Sequence, residues 1–202
     1  MEEKEKILEF TEEKLFSQGF HKTTMAEISS ELRMSKKTIY KYFPSKLDLV
    51  DAIANRFTER MKGKVVPLLE SDKNAVEKII GLISLLSKTA AKIGDKIFTE
   101  LKIHFPTVWQ RIDKFRTEMM YANLSKVIDQ GKSEGLIEDY PTPLIMNILV
   151  NAVRSTVNPE FILNNNFSMK VAAQTTFKII LNGILTEKGK EQFVKSMKEI
   201  EQ

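Results

Sequence analysis

Cysteine is absent from this chain of 202 residues, which removes disulfide scaffolds, thiolate zinc sites and cysteine nucleophiles together and suits a reducing compartment. Glycine and proline are sparse, at eight and six, and tyrosine stands at four. That leaves little material for strands and hairpins, and alternating apolar–polar runs are missing as well. Long hydrophobic runs are absent too. The stretch Leu144 to Val150 is interrupted by Asn147, far short of the ~18 apolar residues that a membrane span requires. The opening Glu2-Glu3-Lys4-Glu5-Lys6 has the wrong character for a signal peptide, so the expected location is cytoplasmic, with no membrane association. Histidine is confined to His21 and His104, without a spacing that suits a metal site. Neither a glycine-rich phosphate loop nor a nucleophile elbow occurs. The expectation is a protein with no catalytic residues, no metal and no cofactor.

What is present is helical periodicity along nearly the whole chain. Hydrophobic residues make up 42% and charged residues 29%, the proportions of an ordinary globular protein. A first helix is expected over residues 3–18, with Ile7, Leu8, Leu15 and Phe16 inward and Gly19 closing it. Thr24-Met25-Ala26-Glu27 has the spacing of a capping box and opens a second helix around Ile28 and Leu32. Ser35 caps a third, whose inward pair is Ile39 and Phe43, and Pro44 stops it. Ser45, with Asp48 three residues on, caps a fourth that carries Leu49, Val50, Ile53, Phe57 and Met61. From about Pro67 longer helices follow, over roughly 73–93, 95–105, 106–132, 142–157 and 168–187, with a last one at 190–201. Pro106 suits a first helical turn, and Gly131 with Gly135 closes the segment it starts.

Charge placement says more than the net value of +4. Glutamates crowd the first helix and its surroundings, whereas residues 33–47 hold Arg33, Lys36, Lys37, Lys41 and Lys46 with no acid among them. Such a strip is either a phosphate footprint or a solvated lysine face. The outward side of the third helix favours the footprint. Once Ile39 and Phe43 are set aside, Lys36, Lys37, Thr38, Tyr40, Lys41 and Tyr42 remain, each able to donate to a phosphate or a base edge. Thr24 stands where a helix N-terminus meets an anion. Lys46 opposes the dipole of the fourth helix, which makes sense for gripping an anion and little sense for stability.

The string Ser35-Lys36-Lys37-Thr38-Ile39-Tyr40-Lys41-Tyr42-Phe43-Pro44-Ser45-Lys46, behind Ile7-Leu8, Leu15-Phe16, Gly19, Thr23-Thr24 and Ile28, resembles the TetR (tetracycline repressor-like, AcrR-type) family of transcriptional regulators over about residues 5–55. The resemblance implies an all-α protein. An N-terminal three-helix, helix-turn-helix DNA-binding domain at 1–47 is joined by helix 4 to a helical-bundle domain for ligand binding and dimerisation at 48–202. It implies phosphate contacts from Thr24, Tyr40, Tyr42 and Lys46, and base-facing roles for Lys36, Lys37, Thr38 and Lys41, with Ser35 beside them. The chain departs from the family's pattern at Leu32, Arg33 and Lys37, where small residues or glycine are usual. The operator therefore cannot be borrowed, and Arg33 is expected in a left-handed turn at a cost of about 1 kcal/mol.

Two constellations in the remainder carry the other expectations. The stripes Ile145, Leu149, Ala152 and Ala173, Phe177, Ile180, Leu181, Ile184 suit either a monomer core or a four-helix interface of a homodimer, which the resemblance favours. Phe98, Leu101, His104, Phe105, Trp109 and Met120 lie in a segment rich in aromatics and methionine. With Phe57 and Met61, they are either core or the wall of a pocket for an apolar or aromatic small-molecule effector. Asn147, Asn151 and Arg154 form a polar series that orients a ligand, serves a dimer contact or faces solvent. The expected function is a dimeric, ligand-responsive repressor of a palindromic operator. The alternative is an architectural or protein-recruiting factor of the same fold without an effector.

Overall fold

The computed structural model describes residues 3–20 and 22–201, the side chains of 198–201 apart; His21 thus lies outside the described residues. Among these, eleven α-helices follow one another: α1 Glu3–Gln18, α2 Met25–Glu31, α3 Lys36–Tyr42, α4 Lys46–Glu70, α5 Ala75–Ile93, α6 Asp95–His104, α7 Pro106–Ser133, α8 Thr142–Thr156, α9 Pro159–Asn165, α10 Met169–Ile184 and α11 Glu187–Glu201. The single extended pairing among the described residues is a bridge between Ile137 and Leu185. No described helix is long and apolar enough to cross a membrane.

Local chemistry sets the N-terminal boundaries. Thr24 accepts from the Glu27 amide while Glu27 reaches back to the Thr24 amide, a complete capping box. Ser35 and Ser45 accept from the amides of Thr38 and Asp48, each satisfying one of the orphan donors at a helix start. Gly19, at φ +86°, ends α1. A Cβ there would meet a Glu100 carboxylate oxygen at 2.8 Å, so both backbone and packing require glycine. The α2–α3 turn closes with Arg33 N–H on Ser30 O at 3.1 Å and Met34 N–H on Ser29 O at 3.0 Å. This is a Schellman arrangement with Arg33 at φ 53° in the left-handed position.

Three boundaries differ from the sequence reading. Pro67 sits inside α4, where one lost backbone bond close to the helix end is tolerated. Gly131 lies buried within α7, against Ile137 and Ala75, so Gly135, at φ +68°, alone turns the chain there. The segment α9 was not expected, although Asn158 at its N-cap and Pro159 in its first turn are start signals.

Two hydrophobic cores meet along α4. The first gathers Ile7, Leu15, Ile28, Ile39 and Phe43 with Leu49, Val50, Ile53 and Ala54 of α4, and also Ile97, Leu101 and Val108 from α6 and α7. It therefore extends beyond the 47/48 division read from the sequence. The second fills the bundle, from Met61, Val65 and Leu69 of α4 to α5, α7, α8 and α10. Phe57 packs against both.

The stripes expected at a dimer interface are turned the other way. Ile145, Leu149, Phe177 and Leu181 are buried in the monomer's own core. Ala152, Ala173, Ile180 and Ile184 are half-buried. Side chains already out of water have no area left to give a partner. The apolar residues that α8 and α10 expose are instead Leu144, Ile148, Val171 and Ile179.

Candidate functional site

The helix-turn-helix presents α3 outward. Lys36, Lys37, Tyr40 and Lys41 are exposed and Thr38 is half-exposed, while Ile39 is wholly buried. Helices α2, α4 and α5 each place an acid in the first turn; α3 places Lys36 and Lys37 there instead. Two cations against the positive end of a helix dipole are unfavourable unless an anion arrives. Ser35 Oγ lies 2.8 Å from Thr38 Oγ1, and the Lys41 ammonium sits 5.4 Å above the Tyr42 ring. Tyr42 donates to Glu3 Oε2 at 2.9 Å.

Two more expected phosphate-grippers are engaged internally, as Tyr42 is. The Thr24 amide and hydroxyl both donate to Glu27 Oε2, at 2.8 and 3.0 Å, because the capping box draws them inward. Those bonds hold the Glu27 carboxyl below its ordinary range, the Thr24 backbone N–H first among causes. Lys46 turns its ammonium onto the Phe20 carbonyl. Burial pushes that ammonium below its ordinary range, against the opposing pull of Glu27 and Glu100. In this arrangement Lys46 fastens the α1–α2 turn rather than projecting from it.

The bundle holds a partly open cavity of about 190 Å³. Phe57 and Met61 of α4, Phe98 of α6, and Trp109 and Met120 of α7 all line it. Leu82 and Leu86 of α5, Val153 of α8 and Met169 of α10 complete the wall, with Ala173 and Phe177 from the stripe expected at a dimer interface. Five other expected ligand residues lie elsewhere for clear reasons. Leu101 is buried in the first core, and His104 is exposed at the end of α6. Phe105 leaves the cavity to pack on Phe20, ring centroids 5.2 Å apart. Asn147 is exposed and Asn151 donates to it at 2.9 Å. Asn151 borders a shallow outer groove with Trp109, Asp113 and Arg154.

Residues 7–53 match the family model for the bacterial regulatory proteins of the tetR family. Over that segment the chain is similar to the TetR family of bacterial regulatory proteins. The chain is 24% identical to the HTH-type transcriptional regulator YvaF of Bacillus subtilis (strain 168), over 86% of its length and 92% of the relative's. It is 20% identical to the nucleoid occlusion factor SlmA of Shewanella woodyi, over 78% of its length and 84% of that protein's. A crystal structure of a TetR-family transcriptional regulator from Marinobacter aquaeolei VT8 superposes with a TM-score of 0.72 at 15% identity, covering 98% of both chains. At that identity the likeness concerns the fold alone.

Sequence reasoning missed the contacts that join the two ends of this chain. Glu100 of α6 accepts from the Phe20 amide at 2.6 Å, beside the Phe20–Phe105 ring pair. Arg56 pairs with Glu5, Glu9 and Glu12 of α1, and Arg60 with Glu12. Arg111 of α7 pairs with Asp51 of α4. The charges were visible in the sequence, but partners roughly fifty to eighty residues apart have no periodic signature.

Proposed function

We propose that this regulator is a homodimeric repressor that binds a palindromic operator in the cytoplasm and releases it when an apolar or aromatic effector enters the bundle cavity. One observation carries the reading. Helix α4 begins at the DNA-facing unit with Ser45 and Lys46 and supplies Phe57 and Met61 to the cavity wall. An effector that fills the cavity acts on the same rigid element that positions α3. Ion pairs from Arg56 and Arg60 to α1 make the helix-turn-helix move with α4. Coupling of ~1–3 kcal/mol between the two sites is enough for a switch.

In the dimer the recognition helices lie about 34–36 Å apart, one turn of DNA. Lys36, Lys37, Thr38 and Lys41 read bases, with Ser35 beside them, while Tyr40, Tyr42, Thr24 and Lys46 contact phosphates once the last three leave their internal partners. The exposed apolar residues Leu144, Ile148, Val171 and Ile179 supply the dimer contact.

Selection on randomised DNA, followed by footprinting and sedimentation, tests this. A palindromic site occupied by two chains is expected, with Ile148→Glu giving monomers that no longer bind it. Lys37→Ala or Thr38→Ala should change the preferred bases, whereas Tyr42→Phe should weaken all sequences alike. Binding without sequence preference would overturn the reading. The likeness to SlmA favours a second reading, a DNA-bound factor that recruits other proteins without an effector. DNA affinity indifferent to every cavity ligand would select it; an apolar cavity lined by α4 argues against it.

A further inference from the structure

The bundle cavity is long for its volume. Its wall runs from Phe57 to Leu69 on α4 and from Trp109 to Leu124 on α7, spans of about 18 and 22 Å at the helical rise. Both spans follow one axis, because the two helices run parallel: Arg111 pairs with Asp51 near their starts, and Gln130 donates to Lys73 O just past the end of α4. The ends of the cavity lie in different cores. Ala90, Phe98, Trp109 and Met169 cluster with Ile162 at one end, whereas Val65, Leu69, Leu82 and Leu124 belong to the main bundle core at the other. About 190 Å³ drawn out over that distance is a slot, not a chamber.

The accessible lining is almost wholly apolar, and no aspartate or glutamate lines it among the described residues. Its few polar side chains are committed elsewhere. Thr58 and Thr89 donate their hydroxyl protons to carbonyls of their own helices, Asn55 O and Leu85 O. Arg116 donates to Val157 O at 3.0 Å and to Asp113 Oδ1 at 2.7 Å. Lys62 is exposed, and a lysine there lays its stem on apolar surface with its head in water. A charged group drawn into such a slot loses its hydration without recompense. Met61, Met119, Met120 and Met169, four of the nine methionines, supply flexible wall that fits a chain along its length. A dry apolar cavity of about 150 Å³ holds a benzene-sized body, so this one takes something modestly larger and slender.

We infer that the cavity takes an uncharged, slender hydrophobe, an open alkyl chain or a ring bearing one, laid lengthwise between α4 and α7 and recognised by its apolar body alone. The inference rests on the effector reading above and narrows its chemical class. Compact polycyclic bodies are excluded by the width of the slot, and charged amphiphiles by its lining.

Alkylbenzenes from toluene to pentylbenzene test it on the intact protein, by calorimetry and by the fluorescence of Trp109, the one tryptophan of the chain. Affinity should rise about threefold to fourfold with each methylene. Butylbenzene should bind about tenfold more tightly than tert-butylbenzene, which has the same formula and a broader shape. It should exceed 4-phenylbutyrate and 4-phenylbutylamine by at least about tenfold. Ala90→Leu, at one end of the slot, should abolish the gain from longer chains while toluene still binds, which also shows that the variant folds. If it does not fold, Val65→Phe at the opposite end should do the same. Equal affinity for the two butyl isomers, equal or tighter binding of either charged analogue, or a folded variant that keeps the full gain per methylene overturns the inference. Operator affinity measured alongside separates the two claims. Chain-length-dependent binding that leaves DNA affinity unchanged keeps the ligand class and removes the switch. Release of DNA by tert-butylbenzene or a charged analogue, with the linear alkylbenzenes inert, keeps the switch and removes the class.

Discussion

The helix-turn-helix and the bundle solve opposite problems with the same helices. In the first, three helices bury Ile7, Ile28 and Ile39 completely and turn Lys36, Lys37, Tyr40 and Lys41 towards solvent. Its chemistry is polar, positive and contiguous. In the second, α4, α5, α6, α7, α8 and α10 each contribute to one apolar cavity, and its polar groups are scattered over helices distant in sequence. A surface that grips a regular polyanion can be built on a single helix. A cavity that encloses a small molecule needs walls from several directions.

The sharpest way to break this comparison is with salt. Roughly six to eight phosphate contacts per dimer give a slope of log K against log salt of about −5 to −7. Operator affinity should then fall about a thousandfold or more between ~50 and ~200 mM salt. Thermal stability and cavity-ligand affinity for a neutral alcohol should move little over the same range, since apolar burial is not screened. Replacing Lys36, Lys37 and Lys41 together by alanine removes six cations from the dimer and should erase most of the slope. A nearly flat response of the wild type would show that the exposed lysines are only a solvated face.

A second test acts where the two regions touch. Gly19 holds φ +86° with the Glu100 carboxylate against it, and Glu100 binds the Phe20 amide. Gly19→Ala adds a left-handed penalty and drives a methyl into that carboxylate. Together they should cost about 2 kcal/mol by denaturant unfolding, and operator affinity should fall with the disturbed turn. A cost below about 0.5 kcal/mol would mean that α6 and the helix-turn-helix are loosely joined.

How much was legible in the sequence follows the same division. The caps at Thr24, Ser35 and Ser45, the stop at Gly19 and the outward face of α3 are local, so their spacing in the chain is their geometry. The aromatic and methionine content of α6 and α7 pointed to Phe98, Trp109 and Met120, but not to Leu82, Leu86 or Met169, which resemble any core residue until the helices are assembled. Helix α8 misled because it is apolar on two sides. Its periodicity offers Ile145 and Leu149 or Leu144 and Ile148 equally, and only packing against α7 and α10 decided which pair went inside. Glu100 was illegible for a further reason: its meaning depends on the Phe20 amide, which it meets far along the chain.

The smallest expected effect sharpens the comparison most finely, because it sets stability against charge at one residue. Arg33 occupies the left-handed position of the α2–α3 turn at φ 53° and is exposed. The surrounding bonds, Met34 N–H to Ser29 O and Ser29 Oγ to Met34 O at 2.6 Å, hold the turn whatever the side chain. Arg33→Gly removes a penalty of about 1–2 kcal/mol. It also loosens the unfolded chain, which returns about 0.4–1 kcal/mol. The net should be a stabilisation of no more than about 1.6 kcal/mol, read as a rise in the denaturation midpoint at unchanged slope. If the turn were chosen for stability alone, glycine would be the better residue. Retention of arginine in the basic strip then predicts a compensating loss: the salt slope should become shallower by about two for the dimer, one for each subunit. A variant both more stable and unchanged in slope would place Arg33 outside the DNA footprint. A variant less stable than the wild type would show that the arginine side chain holds the turn itself, and the two regions would no longer differ in what fixes them.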